Sequence, residues 1–230
     1  MSRYEQNIVV DLEFTPVDKG AKTRKFKYEI IQIGAVRVSS DGEIKDSFSS
    51  FVKPEYTKSI AYAVQELTGI RMCNLTSEDT LEQILEKFRE WVGSKPTRFV
   101  AWSETDLKQL NAETEKKNIP FHEKGERWLD LQKVYPRFME VGNGRQIALC
   151  AAANWCGIEP SKEDLHGALY DARVTAELLK NLLTKEFLEQ KNCIASVMSD
   201  ASRKKETSYT IGDKFSSLLQ LKTKLEIAGA

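Results

Sequence analysis

The chain has 230 residues, of which 41% are hydrophobic and 30% charged, a soluble globular balance with room for one full core and an appendage. Its 34 Lys and Arg residues balance 34 Asp and Glu. Overall charge therefore excludes a generally basic nucleic-acid binder, and any affinity for a polyanion must come from a local patch. No apolar stretch approaches the roughly 18 residues that span a bilayer, and Ile8-Val9-Val10 is too short for a signal-peptide core. The expectation is a cytoplasmic location and no membrane partner.

In chain order, Ile8-Val9-Val10-Asp11-Leu12 reads as a buried strand that ends on an acid. A loop of about fourteen residues follows, carrying Lys19, Lys22, Arg24, Lys25 and Lys27. Residues 29–38 alternate as a second strand, Asp41-Gly42 signals a hairpin turn, and residues 44–52 form a third strand closed by Pro54. Residues 59–67 suggest a short helix stopped by Thr68-Gly69. Ser77-Glu78-Asp79 opens an amphipathic helix with Leu81, Ile84, Leu85, Phe88, Trp91 and Val92 on one face.

Residues 98–101 form a strand, 106–117 a helix, 128–131 a short strand, 147–156 a helix and 171–183 a last amphipathic helix. The expected fold is α/β, a mixed five-stranded sheet flanked by helices. Residues 1–184 make the main domain, and the more polar residues 185–230 form a C-terminal appendage. The cysteines (Cys73, Cys150, Cys156, Cys193) lack zinc-type pairing and read as buried thiols.

Asp11 and Glu13 flank Leu12. In a strand, residues i and i+2 share a face, so two carboxylates project together while Leu12 turns to the core. Like charges this close repel unless a cation lies between them, and carboxylate oxygens suit Mg²⁺ and Mn²⁺. A solvated strand end with two acids is the plainer reading of the pair. Asp106 stands near a helix start, where an acid also complements the helix dipole. His166, one of two histidines, lies five residues before Asp171 at another helix start.

Taken together these pieces resemble one family. The runs Asp11-Leu12-Glu13-Phe14-Thr15, Trp102-Ser103-Glu104-Thr105-Asp106-Leu107 and His166-Gly167-Ala168-Leu169-Tyr170-Asp171-Ala172 are similar to the three motifs of the DEDDh 3′→5′ exonuclease superfamily. Glu66-Leu67-Thr68-Gly69-Ile70 resembles an element between its first and second motifs. The resemblance covers about residues 7–183 and implies a ribonuclease-H-like fold. Its form is similar to the branch of histone-mRNA and small-RNA 3′ exonucleases and their bacterial relatives, which implies RNA processing. Trp102-Ser103 departs from the Asn that many members carry before the second acid, which bears on substrate contacts there.

The resemblance implies hydrolysis of single-stranded nucleic acid, RNA in preference to DNA, from the 3′ end to nucleoside 5′-monophosphates. It implies two divalent ions, Mg²⁺ or Mn²⁺, about 3.5–4 Å apart. Asp11 would bridge them, Glu13 and Asp171 would complete the one beside the attacking water, and Asp106 would hold the other. His166 would be the general base, its ordinary pKa of about 6.5 suiting that task.

Phe14 and Thr15 would hold the terminal sugar, and Leu67 and Thr68 would wedge apart the last two bases. Trp102 is a candidate to stack on the terminal base, with core packing as the alternative for Trp102, Phe14 and Leu67. The basic loop would track phosphates or remain a solvated surface. The appendage is a candidate surface for a protein partner. The competing reading is a non-catalytic relative of the same fold that binds nucleic acid or protein. Such relatives typically lose a carboxylate or the histidine, and all five are present here.

Overall fold

The computed structural model describes residues 4–18, 27–121, 128–139, 145–158 and 167–184. Five strands form one sheet in the order β3-β2-β1-β4-β5. They are β1 (Gln6–Pro16), β2 (Tyr28–Ser39), β3 (Ile44–Phe51), β4 (Thr97–Ala101) and β5 (Trp128–Asp130). The first three run antiparallel, with the β2–β3 turn eased by Gly42 at φ +94°. β4 and β5 run parallel to β1, so the sheet is mixed as expected.

The central strand β1 is covered on both faces. Ile8, Val10, Leu12 and Phe14 pack under α2 (Leu81–Val92) and α3 (Glu104–Lys117). Val9 faces α6 (Ala168–Leu183), α4 (Leu131–Phe138) and α5 (Leu149–Trp155). A third cluster joins Ile31 to Ile60, Val64, Ile70 and Leu75 around α1 (Tyr62–Thr68). Ile31 reaches that cluster because the β1–β2 register shifts at Glu13/Phe14, an irregularity that re-aims one side chain of β2.

Helix ends follow local chemistry. α2 starts at Leu81, not Ser77, because Thr80 and Gln83 form a reciprocal capping box. α1 begins at Tyr62 and closes on Gly69 at φ +70°. Ser103 caps α3, accepting the Thr105 N–H at 3.2 Å. α4 is absent from the sequence-based reading. Asp130 nonetheless starts a helix by accepting the Lys133 N–H at 3.0 Å, and Pro136 is carried inside it.

The cysteine expectation needs correction. Cys150 lies on the solvent side of α5 and Cys73 on an exposed 3₁₀ turn. Among the described cysteines only Cys156 is partly enclosed, 2.7 Å from the Tyr135 hydroxyl. Cys193 and the appendage, with every basic loop residue except Lys27, lie outside the described residues. No helix among the described residues is long and apolar enough to cross a membrane.

Candidate active site

The site grows from the middle of β1. Asp11 and Glu13 project on the face that α6 covers, in line with Val9. α6 enters over that face and brings Asp171 in its first turn. One carboxylate oxygen from each of Asp11, Glu13 and Asp171 lies within 4.8 Å of the others. Glu13 is buried, and Asp11 and Asp171 are half-buried. Three carboxylates so close repel one another, and partial burial weakens the solvent screening that would relieve them.

Asp106 arrives from the opposite layer. β4 pairs with β1 only as far as Val9↔Val100, so β1 continues past its partner. α3 begins where β4 ends, and Asp106 Oδ1 accepts the Leu12 N–H at 3.2 Å. The fourth carboxylate is thus bonded to the backbone between Asp11 and Glu13. Asp106 is 4% exposed. Burial, with Asp171 and Asp130 adding their repulsion, pushes its carboxyl up to about 7, while the Leu12 N–H pulls it down.

This donor set fits divalent metal ions. It consists of oxygen ligands alone, it converges from three elements, and its mutual repulsion is what a cation would relieve. Asp11, Glu13 and Asp171 would hold one ion directly, with Asp106 beside them.

The remaining expected residues divide by environment. Thr15 is fully buried, and its hydroxyl accepts the Ala61 N–H at 3.2 Å, tying β1 to the start of α1. Leu67 and Thr68 are half-buried at the end of α1, where Thr68 Oγ1 donates to Val64 O at 2.8 Å. Phe14 packs edge-on against Tyr28 with ring centroids 5.5 Å apart. Trp102 is 7% exposed and lies against Tyr135 in the core. Its burial against Tyr135 of α4 favours core packing over base stacking. His166 lies outside the described residues.

Two site residues escaped the sequence reading. Gln32 Oε1 accepts the Ala168 N–H at 3.1 Å, and Gly34 lies directly under Ala168 and Leu169. A glycine inside a strand pattern signals a close backbone approach, so Gly34 was readable in kind, though not its partner.

The family model described as "Exonuclease" matches residues 8–179. The DNA polymerase III subunit epsilon of Aquifex aeolicus is 33% identical over 180 residues, 76% of this chain and 79% of that protein. "ERI1 exoribonuclease 2" of Danio rerio is 28% identical over 204 residues, 79% of this chain. The chain spans 36% of that protein and 11% of a PolC-type DNA polymerase III from Clostridium perfringens. The solved nuclease domain of 3′hExo, described as a DEDDh family member bound to rAMP, aligns with a TM-score of 0.68 at 23% identity, covering 79% of this chain and 93% of that domain. That likeness matches the ribonuclease-H-like fold of the sheet and its flanking helices. With the family model spanning residues 8–179 and acids of α3 and α6 meeting those of β1, the chain belongs to the exonuclease family.

Proposed function

We propose that the enzyme is a two-metal nuclease that removes nucleoside 5′-monophosphates from the 3′ end of single-stranded nucleic acid, RNA in preference to DNA. The observation that carries this reading is the convergence of Asp11, Glu13 and Asp171 within 4.8 Å. When bound, divalent ions neutralise phosphate charge, lower the pKa of water and stabilise the leaving oxygen.

The chain's own residues do the rest. Asp11, Glu13 and Asp171 hold the ions from β1 and α6. Asp106 adds a ligand oxygen while its bond to Leu12 keeps it in register with the pair. His166, two residues ahead of α6 in the sequence, takes the proton from the attacking water. Leu67 and Thr68, at the tip of α1, separate the last two bases, and Thr15 ties that helix to β1. The exoribonuclease names among the relatives support RNA, and the polymerase subunits among them make DNA the arm to test against it.

The test is one degradation assay with labelled, sequence-matched RNA and DNA, single-stranded and duplex. Single-stranded RNA should be shortened from its 3′ end one nucleotide at a time, more slowly when duplex. EDTA should abolish the reaction, and Mg²⁺ or Mn²⁺ should restore it. Full activity in excess EDTA would end the metal reading. Faster cleavage of DNA would reverse the preference.

A further inference from the structure

α6 carries Asp171 in its first turn, yet its own sequence supplies no cap. The N-cap residue is Gly167, which has no side chain to accept a helix N–H. The Ala168 N–H has no partner within the helix, because the first intrahelical bond runs from Asp171 N to Gly167 O at 3.0 Å. The missing acceptor comes from the sheet, where Gln32 Oε1 takes the Ala168 N–H at 3.1 Å.

The register makes this contact specific to the site. In the β1–β2 ladder Gln32 stands opposite Glu13, and Gly34 stands opposite Asp11. Cross-strand partners share a face. Four adjacent positions on the face under α6 therefore hold the two carboxylates of β1, the acceptor that receives α6 and the glycine that clears its path. A Cβ on residue 34 would lie 2.1 Å from Leu169 N and 2.2 Å from the Ala168 carbonyl carbon, so the helix backbone rests directly on the strand. Asp171 is less than one helical turn beyond Ala168, and the turn moves as a unit.

The cluster needs such a seat. Mutual repulsion among Asp11, Glu13 and Asp171 pushes α6 outward whenever no cation balances it. Gln32 opposes that push with a neutral acceptor and adds no charge of its own. We propose that Gln32 is a positioning residue for the catalytic centre: its side-chain carbonyl seats the first turn of α6 on β2 and so holds Asp171 against Asp11 and Glu13. This rests on the reading of those three acids as ligands of a divalent cation.

The test uses the full chain with Gln32→Leu, Gln32→Ala and Gln32→Glu, the last of which keeps the acceptor. Two quantities are read: Mn²⁺ affinity by titration calorimetry, and amide exchange of Ala168–Asp171 in EDTA and in excess Mn²⁺. Removing the acceptor should weaken Mn²⁺ binding by about tenfold or more, the usual effect of losing a residue that orients a metal ligand. The Ala168 amide should exchange about tenfold faster, while the amides of β1 and α2 keep their protection. Gln32→Glu keeps the acceptor but adds a charge opposite Glu13, so it should hold Ala168 exchange within about threefold of wild type in excess Mn²⁺, where the cation offsets that charge.

Wild-type Mn²⁺ affinity and Ala168 exchange in the Leu and Ala variants would overturn the proposal. So would a Glu variant whose Ala168 amide, in excess Mn²⁺, exchanges as fast as that of the Leu variant. Loss of protection across the whole fold in both the Leu and Ala variants would also overturn it, in favour of a purely structural role. Failure of the metal reading looks different: wild-type protein would then take up no Mn²⁺, and the exchange data alone would decide whether Gln32 seats the helix.

Discussion

Asp171 is the residue through which α6 joins the acids of β1, and its replacement separates chemistry from stability. Asp171→Asn keeps shape and hydrogen bonding but removes one charge from three that lie within 4.8 Å. In EDTA the variant should melt at or above the wild-type temperature, because a repulsion has been relieved. With Mg²⁺ its turnover should fall by about 10³-fold, the several kcal/mol of transition-state charge stabilisation a metal site supplies. Wild-type turnover would remove Asp171 from the site. His166→Asn should lower turnover by about 10²-fold while Mn²⁺ affinity persists, since the carboxylates hold the ions. The wild-type rate should rise with pH as the imidazole loses its proton and then level, and this rise should vanish in the variant. A variant that keeps the wild-type rate and pH profile would leave the reaction to the carboxylates alone.

α1 offers a different kind of test, because it is tied to β1 at its start and ends on the proposed wedge residues. Val64, Ile60 and Ile70 anchor it to Ile31, and Gly69 closes it in a left-handed turn. Leu67 is half-buried beside that turn, so truncating it costs less core than truncating Val64. Leu67→Ala should slow digestion of paired 3′ ends more than that of single strands, since a wedge replaces stacking worth about 1–3 kcal/mol per base. Initial rates on matched substrates give the ratio. An unchanged ratio would assign Leu67 to packing, as its environment already does for Trp102.

Beyond the site, one buried ionic network joins β2, α3 and the segment after β3, and it contributes to how stability responds to pH. Lys117, 5% exposed at its side chain, pairs with Glu113 at 2.9 Å, Glu55 at 2.8 Å and Glu29 at 3.4 Å. Glu113 also accepts the Ile30 N–H at 2.8 Å. Burial pushes the Glu113 carboxyl up to about 7 from 4.5, against the pull of Lys117, which Glu113 shares with two other acids. Folded protein therefore holds this proton more tightly than the unfolded chain. The stabilisation is complete below pH 4.5 and is lost as pH rises to about 7. Glu113→Gln cannot titrate. Urea unfolding in EDTA should show wild type losing stability relative to the variant across that window, by at most about 1.4 kcal/mol per pH unit. Parallel pH profiles would contradict the burial argument.

Much of this protein was readable from local rules. The alternation of β1 put Asp11 and Glu13 on one face, and the helix starts at Asp106 and Asp171 were close to where capping places them, because strand period and cap chemistry act over a few residues. Gly34 announced a close approach without naming what approaches. Other features depended on elements far apart in the chain. That β1–β4 pairing stops at Val9↔Val100 and leaves the Leu12 N–H to Asp106 follows from strand register. That Trp102 is buried follows from its packing against Tyr135 of α4, a helix missing from the sequence-based reading. That Gln32 caps a helix 136 residues away follows from the pairing of β1 with β2 under α6. Each of these depends on which backbone groups remain unpaired once the sheet has formed, and that is settled only when distant segments meet.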